Sequence, residues 1–120
     1  MIHDRVRAAL QQEGSAAFVT QGPRGAHLVA TWNSYIQVAD ATTLVFPAGG
    51  YQETEANVRN GSPVQMIIGG HVPEGIGFRL SGRADFEVDS PHHATIRQRF
   101  PWARAAVVLR VSEVEQVLGK

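Results

Sequence analysis

The residues best suited to binding chemistry lie together in the segment Ala-Thr-Trp-Asn-Ser-Tyr, within a run that otherwise has the apolar character of a β-strand. Side chains alternate along a strand, so Thr31, Asn33 and Tyr35 are expected on one face and Trp32 and Ser34 on the other. Hydrogen-bonding groups would then lie beside aromatic rings, as a planar polar ligand requires. Cross-strand packing with solvated polar side chains is the alternative interpretation.

A second feature is the pair Gly49-Gly50, which immediately precedes a predicted helix. The backbone N–H groups at the start of a helix can hold a phosphate, and glycine lets a ligand approach the main chain closely. Thr54 would add a hydroxyl group to such a site. A plain flexible turn between a strand and a helix would use the same residues.

Several other chemistries lack the residues they need. The chain has no cysteine, which excludes disulfides, thiol nucleophiles and zinc–cysteine sites. Its single lysine is Lys120 at the end of the chain, which argues against a lysine Schiff base. Ser34 has no nucleophile-elbow glycines around it, and no catalytic residue is assigned. No metal site is predicted because the histidines are scattered or would diverge on a helix: His3, His27, His71, His92 and His93.

The chain has 120 residues, 43% hydrophobic and 18% charged, and this predicts a single domain over residues 1–120. Eleven basic residues balance eleven acidic ones, so nucleic acid and anionic membranes are not expected as partners. There is no run of eighteen apolar residues and no signal-peptide pattern, which predicts a cytoplasmic protein. The balanced charge permits self-association.

Hydrophobic patterning predicts short helices among antiparallel strands. One helix over 4–13 would begin at Asp4 and stop at Gly14, another would lie within 51–61, and a third would begin with Ser90 as N-cap and Pro91 in the first turn. A helical turn is also predicted for the tail 112–118. Turn residues at 22–25 join the first two strands into a hairpin, and a loop is predicted at 69–76. The predicted strands cover 15–21, 26–39, 43–48, 63–68, 77–88 with a bulge or bend at Gly82, and 104–111.

Six antiparallel strands with two or three short helices predict a mainly β fold whose sheet closes into a small barrel. The blocks GSAAFVTQG, HLVATWNSY, LVFPAGG, TEANV, GFRLSGRADF and WARAAVVLRV, in this order and spacing, resemble the small FMN-binding proteins of sulfate-reducing bacteria. These proteins belong to the FMN-binding split-barrel family that includes pyridoxamine 5'-phosphate oxidase. The resemblance implies a six-stranded antiparallel split β-barrel, working as a homodimer with two FMN sites at the subunit interface.

The resemblance also implies which residues bind the cofactor, and it groups them by the part of FMN that they touch. The residues so assigned are Thr31, Trp32, Asn33 and Ser34 at the flavin or its ribityl phosphate; Pro47, Ala48, Gly49 and Gly50 along the isoalloxazine edge; Glu53 and Thr54 beside the phosphate; Glu13 near the flavin; and Trp102, reaching the ring from the partner subunit.

Glu53 departs from the pattern of the similar proteins, because they have a basic residue at the position just before Thr54. At about 6 Å and an effective dielectric constant of about 20, two like charges repel by roughly 2 to 3 kcal/mol before screening, which would weaken FMN binding about fifty-fold or more. If Glu53 turns to solvent, backbone N–H groups, Thr54 and an arginine such as Arg59 must hold the phosphate. Weaker FMN retention than in a relative with a basic residue is therefore expected.

Three functions are compatible with the sequence. The first is a homodimeric FMN-binding electron-transfer flavoprotein with a redox partner protein, in which Trp32 and Trp102 exclude water from the ring and Glu13 sets a negative potential beside it. The second is an FMN-dependent oxidoreductase, a flavin- or NAD(P)H-linked reductase acting on a small-molecule substrate. The third is a split-barrel binding module that has lost tight FMN binding.

Overall fold

A computed structural model describes residues 1–71 and 75–119 of the chain. These residues form seven strands and three α-helices. Mainly antiparallel β structure with a few short helices is therefore confirmed. In chain order the elements are α1 (Asp4–Leu10), β1 (Ser15–Gly22), β2 (Gly25–Trp32), a 3₁₀ turn (Asn33–Tyr35), β3 (Gln37–Asp40), β4 (Thr43–Ala48), α2 (Gln52–Arg59), β5 (Val64–Gly70), β6 (Ile76–Glu87), α3 (Pro91–Arg99) and β7 (Ala105–Leu118).

The strands form one antiparallel sheet in the order β2-β1-β5-β6-β7-β4-β3. Its two edge strands, β2 and β3, follow each other in the sequence and are joined by the 3₁₀ turn Asn33–Tyr35. The sheet is thus an open, split barrel, and the split lies at this turn. The split-barrel fold class predicted from the sequence is confirmed.

The strand count differs from the predicted six because the long strand predicted over 26–39 is interrupted. Asn33 leaves the extended conformation: its N–H donates to Gly14 O at 2.8 Å, and Ile36 N–H donates to Asn33 O at 3.1 Å. An asparagine can exchange ladder hydrogen bonds for local and side-chain bonds to the main chain, which favours a turn at this position. The prediction that Asn33, Ser34 and Tyr35 alternate along a strand was therefore wrong.

Three further predictions need correction. The tail 112–118 is not helical, since β7 continues to Leu118 and pairs with β6 through Leu80↔Val114 and Phe78↔Gln116. The long β6 offers backbone partners along this whole segment, and that pairing overrides the helical propensity of its glutamates. Helix α1 ends at Leu10 rather than at residue 13. The predicted loop is shorter than 69–76, because Gly69 and Gly70 belong to β5 and Ile76 to β6; its residues 72–74 lie outside the described part.

Two apolar clusters fix the frame around the split. Phe18, Phe46 and Phe78, each 1% exposed, lie in the large cluster inside the barrel. The smaller cluster packs α3 against β4 and β7 through Ile96 and Phe100, among others. Because Phe100 is anchored there, the segment that follows it is held beside the end of β4. The smaller cluster therefore determines where Trp102 can lie.

Local signals outside the split behave as predicted. The hydroxyl of Ser90 caps α3 by accepting from His93 N–H at 3.1 Å, with Pro91 in the first turn. Register shifts between Ser81 and Gly82 mark the predicted bulge, where a Cβ on Gly82 would overlap the carbonyl of Arg110. No helix among residues 1–71 and 75–119 is long and apolar enough to cross a membrane.

Candidate functional site

A groove of about 400 Å³ opens at the split of the barrel. Its volume falls within the range of small-molecule sites, about 300 to 1,000 Å³. Its walls come from the start of β1, the end of β2, the 3₁₀ turn, the end of β4, the residues leading into α2, and the segment after α3. They are formed by Ser15, Ala30, Thr31, Trp32, Tyr35, Pro47, Gly49, Gly50, Tyr51 and Trp102.

Aromatic rings give this groove flat walls. Tyr35 lies 4.6 Å from Phe100 and 6.1 Å from Trp102, centroid to centroid. Trp32 is 50% exposed and Trp102 55% exposed, so both indoles keep free surface although they are large and apolar. Rings held in this way can pack against a planar ligand.

Glycine at position 49 makes room for the Trp102 ring. A Cβ on Gly49 would lie only 3.2 Å from two carbon atoms of that ring. The indole therefore packs on the main chain of its own protomer. That Trp102 also reaches the flavin ring of a partner subunit, as the resemblance implies, stays a prediction.

Helix α2 begins at the other end of the groove without a side-chain cap. Tyr51 precedes its first residue in the left-handed conformation, with φ 65° and ψ 32°. The Tyr51 hydroxyl donates to Ala30 O at 2.6 Å, and burial raises the pKa of this phenol above its ordinary value. The first N–H groups of an uncapped helix lack intrahelical acceptors and attract anions. Gly49-Gly50 therefore leads from the aromatic walls to an anion-attracting helix end.

Arg104 fixes the orientation of the peptide that enters α2. Its Nε and Nη2 donate to Gly50 O at 3.0 and 2.7 Å, and its Nη1 donates to Glu55 at 2.8 Å. In a trans peptide the C=O and the following N–H point in opposite directions. Because Arg104 holds the Gly50 carbonyl, the N–H of Tyr51 is directed away from the guanidinium.

Thr31, Asn33 and Thr54 are buried, with exposed fractions of 5%, 1% and 1%. The Thr54 hydroxyl is enclosed and has no hydrogen-bond partner among the described residues. The Asn33 amide donates to Gln12 O at 2.8 Å and Gly69 O at 3.3 Å. Asn33 therefore anchors the 3₁₀ turn to neighbouring elements and does not line the groove.

Glu13 is linked to the back of this turn. Ser34 Oγ donates to Glu13 Oε2 at 2.5 Å, and Ser34 N–H donates to Glu13 Oε1 at 3.2 Å. The hydrogen bond from the Ser34 hydroxyl lowers the pKa of Glu13 below its ordinary value. The carboxylate is thus charged and tied to the turn, although neither Glu13 nor Ser34 is among the described residues that line the groove.

Glu53 is paired and does not stand alone in solvent. Its carboxylate lies 2.8 Å from Arg24 Nη2 and 3.0 Å from His27 Nδ1, both from the β1–β2 hairpin. Arg59, suggested from the sequence as a phosphate partner, donates both Nε and Nη2 to Glu55 instead. Among the described residues, no three histidine or acidic side chains cluster closely enough to hold a metal ion.

Of the residues assigned from the sequence, Thr31, Trp32, Pro47, Gly49, Gly50 and Trp102 come together in the groove, and Ala48 lies buried in β4 between two of them. Sequence reasoning missed Tyr51 and Arg104. Tyr51 carried one available signal, since it follows Gly49-Gly50 directly. Arg104 carried none, because its partner Gly50 lies 54 positions away.

A split barrel with an aromatic groove that ends at a helix N-terminus defines a class of small ligand-binding β proteins. The sequence matches the model of the family described as pyridoxamine 5'-phosphate oxidase over residues 2–118. The chain belongs to this family.

An FMN-binding protein from Nitratidesulfovibrio vulgaris strain Miyazaki F is 46% identical over 114 residues, covering 91% of this chain and 93% of that protein. HupZ from Group A Streptococcus superposes with a TM-score of 0.84 at 12% identity, covering 99% of this chain and 96% of that one. An FMN-binding protein from Syntrophomonas wolfei superposes with a TM-score of 0.66 at 12% identity, covering 94% and 88%. The two structures support the fold alone, whereas the first relative is similar in sequence as well.

Proposed function

We propose that this chain is a single-domain FMN-binding protein that works as a homodimeric electron-transfer flavoprotein. One observation carries the proposal: the aromatic groove ends at the uncapped start of α2. FMN has a planar ring that would suit the aromatic walls and a phosphate that would suit the helix start. The 46% identical relative that is named an FMN-binding protein supports the choice of this ligand.

The residues present fit FMN at both ends. The ring would lie among Trp32, Tyr35 and Trp102, and Gly49 lets the Trp102 indole pack on the main chain at this wall. Backbone N–H groups at the start of α2 would meet the phosphate. When bound, FMN supplies one- and two-electron redox chemistry, and the protein contributes position and electrostatics.

The walls of the groove favour electron transfer over reactions that need a general base. Among the described wall residues there is no carboxylate or imidazole, and the titratable groups are the phenols of Tyr35 and Tyr51. Burial raises the pKa of Tyr51, so it stays protonated near neutral pH. Trp32 and Trp102 would shield the ring from water without taking a proton.

The same two indoles support a homodimer. Each is about half exposed beside the groove, and Leu28, 68% exposed, lies four residues before Trp32 on β2 and so on the same side of that strand. Large apolar side chains exposed together commonly mark an interaction surface. A second copy of the chain would cover this surface and close the groove.

Absorption spectroscopy and native mass measurement test the proposal together. Apoprotein titrated with FMN is expected to gain a perturbed flavin spectrum at one FMN per chain, with the mass of a dimer. Reversible reduction without NAD(P)H turnover is expected for an electron carrier. Steady NAD(P)H oxidation that depends on FMN would point to the reductase alternative, and absence of binding at millimolar FMN would point to a binding module without this cofactor.

A further inference from the structure

The anion-attracting end of the groove contains few cations with free hydrogen-bonding capacity. Arg104 is committed to Gly50 O and Glu55, and Arg59 is committed to Glu55. Arg24 is different: Nη2 contacts Glu53, whereas Nε and Nη1 have no partner among the described residues, and the side chain is 83% exposed. Arg24 can therefore bind an anion without giving up its ion pair.

The hairpin that carries Arg24 is held on α2 by close packing. A Cβ on Gly22 would overlap the side chain of Asn57, so glycine allows the hairpin to lie directly on the helix. Asn57 is 3% exposed and donates to Thr20 Oγ1 at 3.0 Å. This packing holds the hairpin along α2, and the contact between Arg24 and Glu53 at 2.8 Å places Arg24 beside the first turn of the helix.

We propose that Arg24, held by Glu53, is the residue of this chain that recognises the phosphate monoester of the flavin. This inference rests on the proposed function. It adds a reason for the protein to prefer a phosphorylated flavin over an unphosphorylated one. Arginine suits the role because its planar guanidinium presents several donors and can keep one carboxylate while binding a second anion.

The ion pair also reduces the repulsion that Glu53 would exert on a bound phosphate. The Glu53 charge is balanced by a guanidinium 2.8 Å away, so an incoming phosphate meets a neutral pair with outward-facing donors and not an isolated carboxylate. Glu53 both positions the cation and opposes the phosphate. Its two effects have opposite signs and largely cancel while Arg24 is present.

Paired titrations with FMN and riboflavin, which lacks the phosphate, test this inference at fixed pH and low salt. Flavin fluorescence quenching gives both dissociation constants. Arg24→Ala is expected to weaken FMN binding about tenfold, the range of one charged hydrogen bond at an exposed site, and to leave riboflavin binding unchanged. Arg97→Ala is the matched control, since Arg97 is also exposed and its nearest carboxylate, on Asp89, lies at 3.5 Å.

A double-mutant cycle then tests the role of Glu53. Glu53→Gln alone is expected to change FMN affinity less than about threefold, whereas in the Arg24→Ala background it is expected to recover about fivefold. An Arg24→Ala protein that loses FMN and riboflavin affinity equally, or loses neither, would overturn the assignment. A wild-type protein that binds neither flavin would instead refute the proposed function.

Discussion

The guanidinium of Arg104 donates two hydrogen bonds to the carbonyl oxygen of Gly50, at 3.0 and 2.7 Å. Arg104 comes just before β7 and Gly50 just before α2, and Arg104 N–H also donates to Ala48 O at 2.9 Å. These bonds fasten the strand-to-helix turn to the start of the adjacent strand β7. They also set the direction of the next N–H, so the phosphate end of the proposed site is organised by a residue outside the groove.

Replacing Arg104 with Gln should release the peptide group between Gly50 and Tyr51. FMN affinity is expected to fall about tenfold, because one oriented hydrogen bond to a charged group contributes roughly 1.5 to 3 kcal/mol. Titration by flavin fluorescence measures the change, and circular dichroism checks the fold. Arg59→Gln is the matched control, since Arg59 shares Glu55 with Arg104 and donates its side-chain hydrogen bonds to Glu55 rather than to Gly50. Equal losses in the two variants would contradict a specific role for the Gly50 contact.

Gly49→Ala should disturb the aromatic wall. The new Cβ would lie 3.2 Å from the Trp102 ring, which is tighter than ordinary contact, and the half-exposed ring is free to shift away. FMN and riboflavin affinities are expected to fall together by about fivefold, with a stability change below about 1 kcal/mol. Gly75→Ala is the control, since a Cβ there meets no atom of the described residues within 4 Å. Unchanged riboflavin binding in Gly49→Ala would show that the ring does not lie against Trp102.

Ser34→Ala should raise the pKa of Glu13 toward its ordinary value, because the hydroxyl donor that stabilises the carboxylate is removed. A lowered pKa in the folded state means that Glu13 contributes stability above the unfolded pKa, about 4.3, and loses that contribution as pH falls through the folded pKa. The loss of folding stability as the pH falls should therefore be smaller in Ser34→Ala than in the wild type. Carbon-13 NMR of the carboxyl groups measures the pKa directly. Asp40, whose pKa is lowered mainly by Thr42 N–H, serves as an internal reference that should not move.

Most of the frame could be predicted from the sequence because its signals are local. Ser90 followed by Pro91 gives the start of α3, Gly82 gives the bulge, and alternating or continuous apolar runs give the strands. The groove residues around Gly49-Gly50 were found for the same reason, since glycine before a helix has a local meaning. The interruption at Asn33 was missed because its partners Gly14 and Gly69 come from elsewhere in the chain.

The electrostatics of the site could not be predicted in the same way. Glu53 looked like an uncompensated charge because its partner Arg24 lies 29 positions away on a hairpin. Arg59 looked available for a ligand, but it is paired with Glu55, four residues earlier on the same helix. Charge pairing depends on which surfaces the fold brings into contact, and spacing along the sequence reveals only the pairs within one helix.

Asn33 is expected to matter for stability and, through it, for the shape of the groove. Its buried amide donates to Gln12 O and Gly69 O, and so joins the 3₁₀ turn to the segment after α1 and to the end of β5. Asn33→Ala would leave these carbonyls without their donor, at a cost of about 2 kcal/mol. Urea unfolding followed by tryptophan fluorescence measures the loss, and Asn60→Ala, at an exposed asparagine, should cost less than about 0.5 kcal/mol. FMN affinity should fall with Asn33→Ala because the turn carries Tyr35 and follows Trp32 on the groove wall. A variant of full stability would show that the turn is held by backbone contacts alone, such as Asn33 N–H to Gly14 O.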